Sequence, residues 1–119
     1  MDREQLFDWV KSEYDVEPEY LWKQYPNYAV LRHKYNEKWF ALVADVDRSK
    51  HNLEGEGRVD FLVIKEDPGL ITELLKHEGF RPAYHMDKEK WVSIVLDGSV
   101  PNDKIESLVQ SSYALTEND

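Results

Sequence analysis

The residues best suited to chemistry in this chain are cations interleaved with aromatic rings. Lys23, Arg32, Lys34, Lys38, Arg48 and Lys50 alternate with Tyr25, Tyr28, Tyr35 and Trp39 along residues 23–52. That segment holds six bases against three acids, a local excess of positive charge in a protein whose net charge is −9. Cations spaced among rings can follow a nucleic-acid backbone while the rings stack on bases. The same residues also suit an ordinary sheet rim, with Trp39 and the tyrosines packed inward. The field of the whole molecule repels a polyanion and weighs against the first reading.

A second concentration lies at Tyr84-His85-Met86-Asp87. A His-x-Asp pair supplies two of the ligands a metal needs, and no helical His pair completes the set, so neither a metal nor a cofactor is expected. His77 falls at a helix end, where a cation suits the dipole. His51 falls in a polar stretch, and His33 sits between Arg32 and Lys34 in the basic segment. The many acids show no pattern that would place two carboxylates in one dry pocket, and they read as a solvated face. There is no G-x-G-x-x-G, Walker loop, G-x-S-x-G or H-E-x-x-H. Gly55-Glu56-Gly57 is too short to cradle a phosphate and carries an acid of its own. The absence of cysteine excludes a disulfide framework, a thiolate metal site and a Cys nucleophile. No catalytic residue is assigned.

The elements that must position these residues follow from periodicity. At 119 residues the chain fits one domain, expected over 1–119. Asp2 caps a helix over 3–14 with Leu6, Trp9 and Val10 on one face. Residues 28–34 and 38–46 read as an antiparallel hairpin turning at Tyr35-Asn36-Glu37. A short edge strand is expected near Glu19–Trp22. Residues 47–57 read as a mobile loop and 58–65 as a third strand. Asp67-Pro68 opens a second helix with Ile71, Leu74 and Leu75 inward, and Gly79 ends it. Residues 80–86 read as an irregular link. The last strand, 90–97, turns Val92, Ile94 and Leu96 to one side and Trp91, Ser93 and Val95 to the other. A final helix begins at Pro101 and buries Ile105, Leu108, Val109 and Ser112. The order, α, three or four strands, α, β, α, predicts an α+β protein: an antiparallel sheet with three helices on one side.

One block goes beyond composition. Gly79-Phe80-Arg81-Pro82-Ala83-Tyr84-His85-Met86-Asp87-Lys88-Glu89-Lys90-Trp91, running on to Leu96-Asp97-Gly98, resembles the signature segment of the MmcQ/YjbR family. Lys38-Trp39-Phe40-Ala41-Leu42, Glu66-Asp67-Pro68 and Ser111-Ser112-Tyr113 are similar to other parts of that family. Ala83, Asp87 and Lys90 depart from its usual Gly, Asn and His. The resemblance implies a two-layer fold like that of secretion chaperones, and the DNA-binding label that the family carries by fold analogy.

Three functions are open at this point. In a DNA-binding module, Arg32, Lys34, Lys38 and Arg81 would contact phosphates, with Tyr84, His85 and Trp91 nearby. In a protein- or peptide-binding adaptor, Trp91 and Val95 would form an outward apolar patch, used also for self-association. In a small-molecule binder or enzyme, the site would centre on Tyr84, His85 and Lys88. The N-terminal MDREQLFDWV has no cleavable apolar core and no apolar run nears the length of a membrane span, so the expected place is the cytoplasm, with no membrane partner.

Overall fold

The computed structural model describes residues 1–117. Helix α1 covers Arg3–Tyr14. Its start is set by a reciprocal capping box: the Asp2 carboxylate accepts from the Gln5 N–H at 2.9 Å, and the Gln5 side chain accepts from the Asp2 N–H at 3.0 Å. It ends at Asp15, which takes a left-handed conformation, before Pro18 is reached.

Five strands follow: β1 (Ala29–Arg32), β2 (Trp39–Asp47), β3 (Arg58–Lys65), β4 (Phe80–Pro82) and β5 (Trp91–Val95). Helix α2 spans Pro68–Leu74, and α3 spans Asn102–Glu117. The strands form one sheet in the order β1-β2-β3-β5-β4, antiparallel at every step. The α+β architecture with three helices and an antiparallel sheet is therefore as the sequence predicts.

All three helices cover one face. Leu6 and Val10 of α1, Ile71 and Leu74 of α2, and Ile105, Leu108 and Val109 of α3 pack with Val43, Leu62, Ile64, Val92 and Ile94 in one core. Ser112 fastens α3 across two strands. Its hydroxyl donates to the Phe40 carbonyl at 2.7 Å and accepts from the Lys65 N–H at 2.9 Å. Two buried backbone groups are thereby satisfied by one side chain.

Several local expectations need correction. Residues 80–82 are not irregular: they form the edge strand β4, paired with β5. The proposed edge strand near Glu19 reduces to a single bridge to Val30. The stretch 47–57 contains a 3₁₀ turn, Arg48–His51, capped by Asp47. In the hairpin turn Glu37 takes a positive φ of 62°. Leu75 is exposed rather than inward.

The largest correction concerns the second sheet face. Ser93 and Val95 are buried, at 0% and 1% exposure, so there is no outward patch built on Val95. The segments around Trp22, Leu53 and Tyr84–Met86 lie over that face and close it with side chains instead of helices.

Candidate functional site

A bulge in β2 creates the site. Leu31 pairs with Ala41 but Arg32 pairs with Trp39, so Phe40 is an extra residue in the ladder. Phe40 and Ala41 both enter the helix-side core, whereas Trp39 joins Leu42 on the opposite face. Strict alternation back from Leu42 would have turned Trp39 toward the helices. Helix-side rings take up the displaced Phe40, with Tyr14 at 6.0 Å and Tyr113 at 5.0 Å between centroids.

On the second face Trp39 meets Trp22 edge-on, at 5.8 Å and 83°. Trp22 in turn meets Tyr28 at 6.1 Å and 77°. Tyr25 stacks on Tyr28 at 4.7 Å and 14°. With Leu42, His85 and Met86 these rings line a cup of about 270 Å³. Crossed rings leave faces turned to the space between them, a wall suited to a flat apolar group.

The far wall is held by Ser93. A serine amid Val92, Ile94 and Val95 is an odd choice for a strand centre; its Oγ accepts the Tyr84 N–H at 3.0 Å. Tyr84 thus lies across β5, edge-on to Phe61 at 6.2 Å and to His51 at 5.5 Å. Its hydroxyl is 3.0 Å from that of Tyr28. Burial, followed by this bond, pushes the Tyr28 phenol well above its ordinary range. The next residue, His85, has φ of +64°, a left-handed conformation uncommon outside glycine. That turn carries the His85 ring to the rim of the cup, 3.9 Å from the Tyr84 ring and 6.0 Å from that of Tyr28. Lys90 and Trp91 N–H groups both donate to the Asp87 carbonyl and close the link.

Beside the cup, and sharing His85 with it, is a second hollow of about 390 Å³ lined by His51, Arg81, Pro82, Ala83, Tyr84, His85 and Lys88. Lys88 donates to the Ala83 carbonyl at 3.1 Å.

The four residues expected to hold phosphates do not come together. Arg32 is clasped by Glu19 through two bonds of 2.7 and 2.9 Å. Lys34 pairs with Asp15 at 2.7 Å, and Lys11 and Lys34 hold that carboxyl down to about 2. Arg32 and Lys34 share their cleft with Glu17, Glu19 and Glu37. Lys38 is exposed just before β2. Arg81 stands on β4, the opposite edge from β1, four strand spacings or roughly 19 Å away. Of the residues expected around the link, Tyr84, His85 and Lys88 line the second hollow, while Trp91 is half-buried against Val30, Leu42 and Val63.

Sequence reasoning had not joined Trp22 and Met86 to any site. The signal available was the density of rings in Tyr20, Trp22, Tyr25 and Tyr28, too many for a connector that only links a helix to a strand. His33 is also relocated. It is 1% exposed and hydrogen-bonds Thr116 at 2.8 Å, so it belongs to the core rather than to a basic rim. Among the described residues, no three His, Asp or Glu side chains converge as metal ligands would.

Fold and site together define a small α+β protein that keeps its helices on one sheet face and presents a ring-lined cup on the other. The YjbR family model matches residues 3–115. The Bacillus subtilis (strain 168) protein YyaQ is 43% identical over 116 residues, covering 98% of both chains. Escherichia coli (strain K12) YjbR is 42% identical over 52 residues, 42% of this chain and 43% of its own. A crystal structure of a Pseudomonas syringae protein superposes with a TM-score of 0.93 at 40% identity, covering 98% of this chain and 99% of that one. A Deinococcus radiodurans structure at 23% identity shares the fold, with a TM-score of 0.66 over 91% of this chain and 75% of its own. The chain belongs to the YjbR family.

Proposed function

We propose that this protein is a small, cytoplasmic, non-enzymatic binding module whose cup takes up a flat aromatic group of its ligand. The observation that carries this reading is the cup itself: Trp22, Tyr25, Tyr28 and Trp39 set around one cavity on the face the helices leave uncovered. A sheet that needed only to exclude water there would be served by aliphatic side chains. Four rings with a left-handed His85 at the rim are the composition of a recognition surface. A cytoplasmic setting accords with the lack of cysteine and of any helix, among the described residues, long and apolar enough to cross a membrane.

The test is a titration of isotope-labelled protein with adenosine, followed by NMR. The indole N–H signals of Trp22 and Trp39 and the backbone signal of His85 should move together. Movement confined to the helix-side residues would reject the cup.

A second reading has support of its own. DNA binding would draw on Arg81 and Lys38, neither of which ion-pairs with another described residue, unlike Arg32 and Lys34. A cup of this kind takes unstacked bases, so the form bound would be single-stranded. A fluorescence titration with short single-stranded DNA at low salt tests this, and absence of binding at micromolar concentration would eliminate it.

A further inference from the structure

The second hollow has a composition that the rest of the molecule does not prepare for. In a chain of net charge −9, its polar side chains are His51, Arg81, Tyr84, His85 and Lys88, and no carboxylate of a described residue lines it. Two acids flank Lys88: Asp87 turns its carboxylate back to accept the Glu89 N–H at 2.9 Å, and Glu89 is exposed outside the lining of the hollow. Lys88 and His51 are held in place by their neighbours. Lys88 uses one of its three protons on the Ala83 carbonyl at 3.1 Å, which leaves two to donate. Arg81 is half-buried on β4 and ion-pairs with no other described residue. The His51 ring is fixed edge-on between Phe61 at 5.0 Å and Tyr84 at 5.5 Å. A guanidinium, an ammonium and two imidazoles around one hollow match a phosphate, which offers several acceptor oxygens to many donors.

The hollow and the cup are not independent, because His85 lines both. The Tyr28 and Tyr84 hydroxyls meet at 3.0 Å where the two adjoin. Only one proton lies between two hydroxyls, so the one that accepts keeps its own proton to give to a third oxygen. The junction therefore offers a donor between a ring-binding wall and an anion-binding one.

We infer that cup and hollow form one composite site for an aromatic phosphate ester of the nucleotide class, the ring lying among Trp22, Tyr25, Tyr28 and Trp39 and the phosphate among Arg81, His85 and Lys88. This rests on the cup binding an aromatic group, and it adds what that group is attached to. A free nucleotide and the end of a single-stranded nucleic acid present the same chemistry.

The experiment compares adenosine and thymidine, each with its own 5′-monophosphate, by quenching of tryptophan fluorescence at low salt. Short single-stranded dA and dT oligomers form a further arm. The expected result is that a monophosphate binds at least tenfold more tightly than its nucleoside. That advantage disappears in the double variant Arg81→Gln, Lys88→Gln, which binds monophosphate and nucleoside equally well. A nucleoside and its monophosphate binding equally well would overturn the inference while leaving the cup in place. A phosphate advantage that persists in the double variant would likewise overturn it, since the anion would then be read elsewhere. No response to any of the four small molecules or the oligomers would reject the cup along with it. Within a positive result, tighter binding of the oligomers marks the polymer as the source, and equal or weaker binding marks the free nucleotide.

Discussion

The Tyr28 and Tyr84 hydroxyls meet at 3.0 Å across 56 positions of sequence, and that contact joins the segment before β1 to the link after β4. Tyr28 also stacks with Tyr25 and abuts Trp22, so one ring connects the bridge to the cup. Ser93 holds the other end through the Tyr84 backbone. The site is thus anchored to the rigid sheet although most of its rings come from segments outside the strands.

The first expectation concerns alkaline pH. Burial and the Tyr84 bond favour the neutral phenol of Tyr28 in the folded state. Above an ordinary tyrosine pKa of about 10, the unfolded chain loses a proton that the folded chain keeps. Stability should therefore fall as pH rises beyond that value. Tyr28→Phe should show a shallower loss, measured by urea melts at pH 9 and above, at a cost of about 1 kcal/mol at neutral pH for the missing bond. Parallel curves for the two proteins would show that Tyr28 does not carry the effect.

His33 should act at the other end of the scale. The Thr116 hydroxyl donates to the Ser112 carbonyl at 2.8 Å, so it accepts from His33 Nε2 and fixes the proton there. His33 Nδ1 is buried with no hydrogen-bond partner among the described residues, and burial lowers the imidazole pKa. Below the ordinary value of about 6.5 the unfolded chain takes up a proton that the folded chain resists, so stability is full above that pH and declines as pH falls. His33→Gln keeps an amide donor for Thr116 and removes the titration. Thermal melts from pH 7.5 to 5.5 should decline less for the variant than for the wild type.

Ser93→Ala should cost about 1–3 kcal/mol, the range for leaving a buried N–H unsatisfied, because Tyr84 loses its acceptor. Its second effect should be weaker ligand binding, since the link carrying His85 loses its tether. A variant with wild-type stability in denaturant melts would mean the link is held by other contacts.

What the sequence made legible divides along the sheet. The helix face was readable because its residues obey simple periods: Val92, Ile94 and Leu96 alternate along β5 and the residue after it, and Ile105, Leu108 and Val109 recur along α3. The second face was not, for two physical reasons. The bulge at Phe40 breaks the period-two pattern and reverses the side taken by Trp39, and nothing in the local sequence marks the extra residue. The covering layer has no period at all, so its place over Ser93 and Val95 comes from contacts between segments, such as Tyr84 N–H to Ser93 Oγ and the Tyr28–Tyr84 hydroxyl bond. Arg32 and Lys34 likewise look free in sequence because their partners, Glu19 and Asp15, lie 13 and 19 positions away.

The central claim is that the ring-lined cup binds. Tyr25 provides the cleanest test, because it is 50% exposed and contributes to the cup by stacking on Tyr28. The measurement is the affinity of wild type and Tyr25→Ala for a short single-stranded dT oligomer and for adenosine, read by tryptophan fluorescence, with melting temperatures recorded alongside. A ring that stacks on a ligand contributes about 1–3 kcal/mol, so binding of at least one of the two should weaken by roughly fivefold or more while the melting temperature hardly moves. Unchanged affinity for both ligands with the fold intact, or no binding by the wild type at all, would contradict the account.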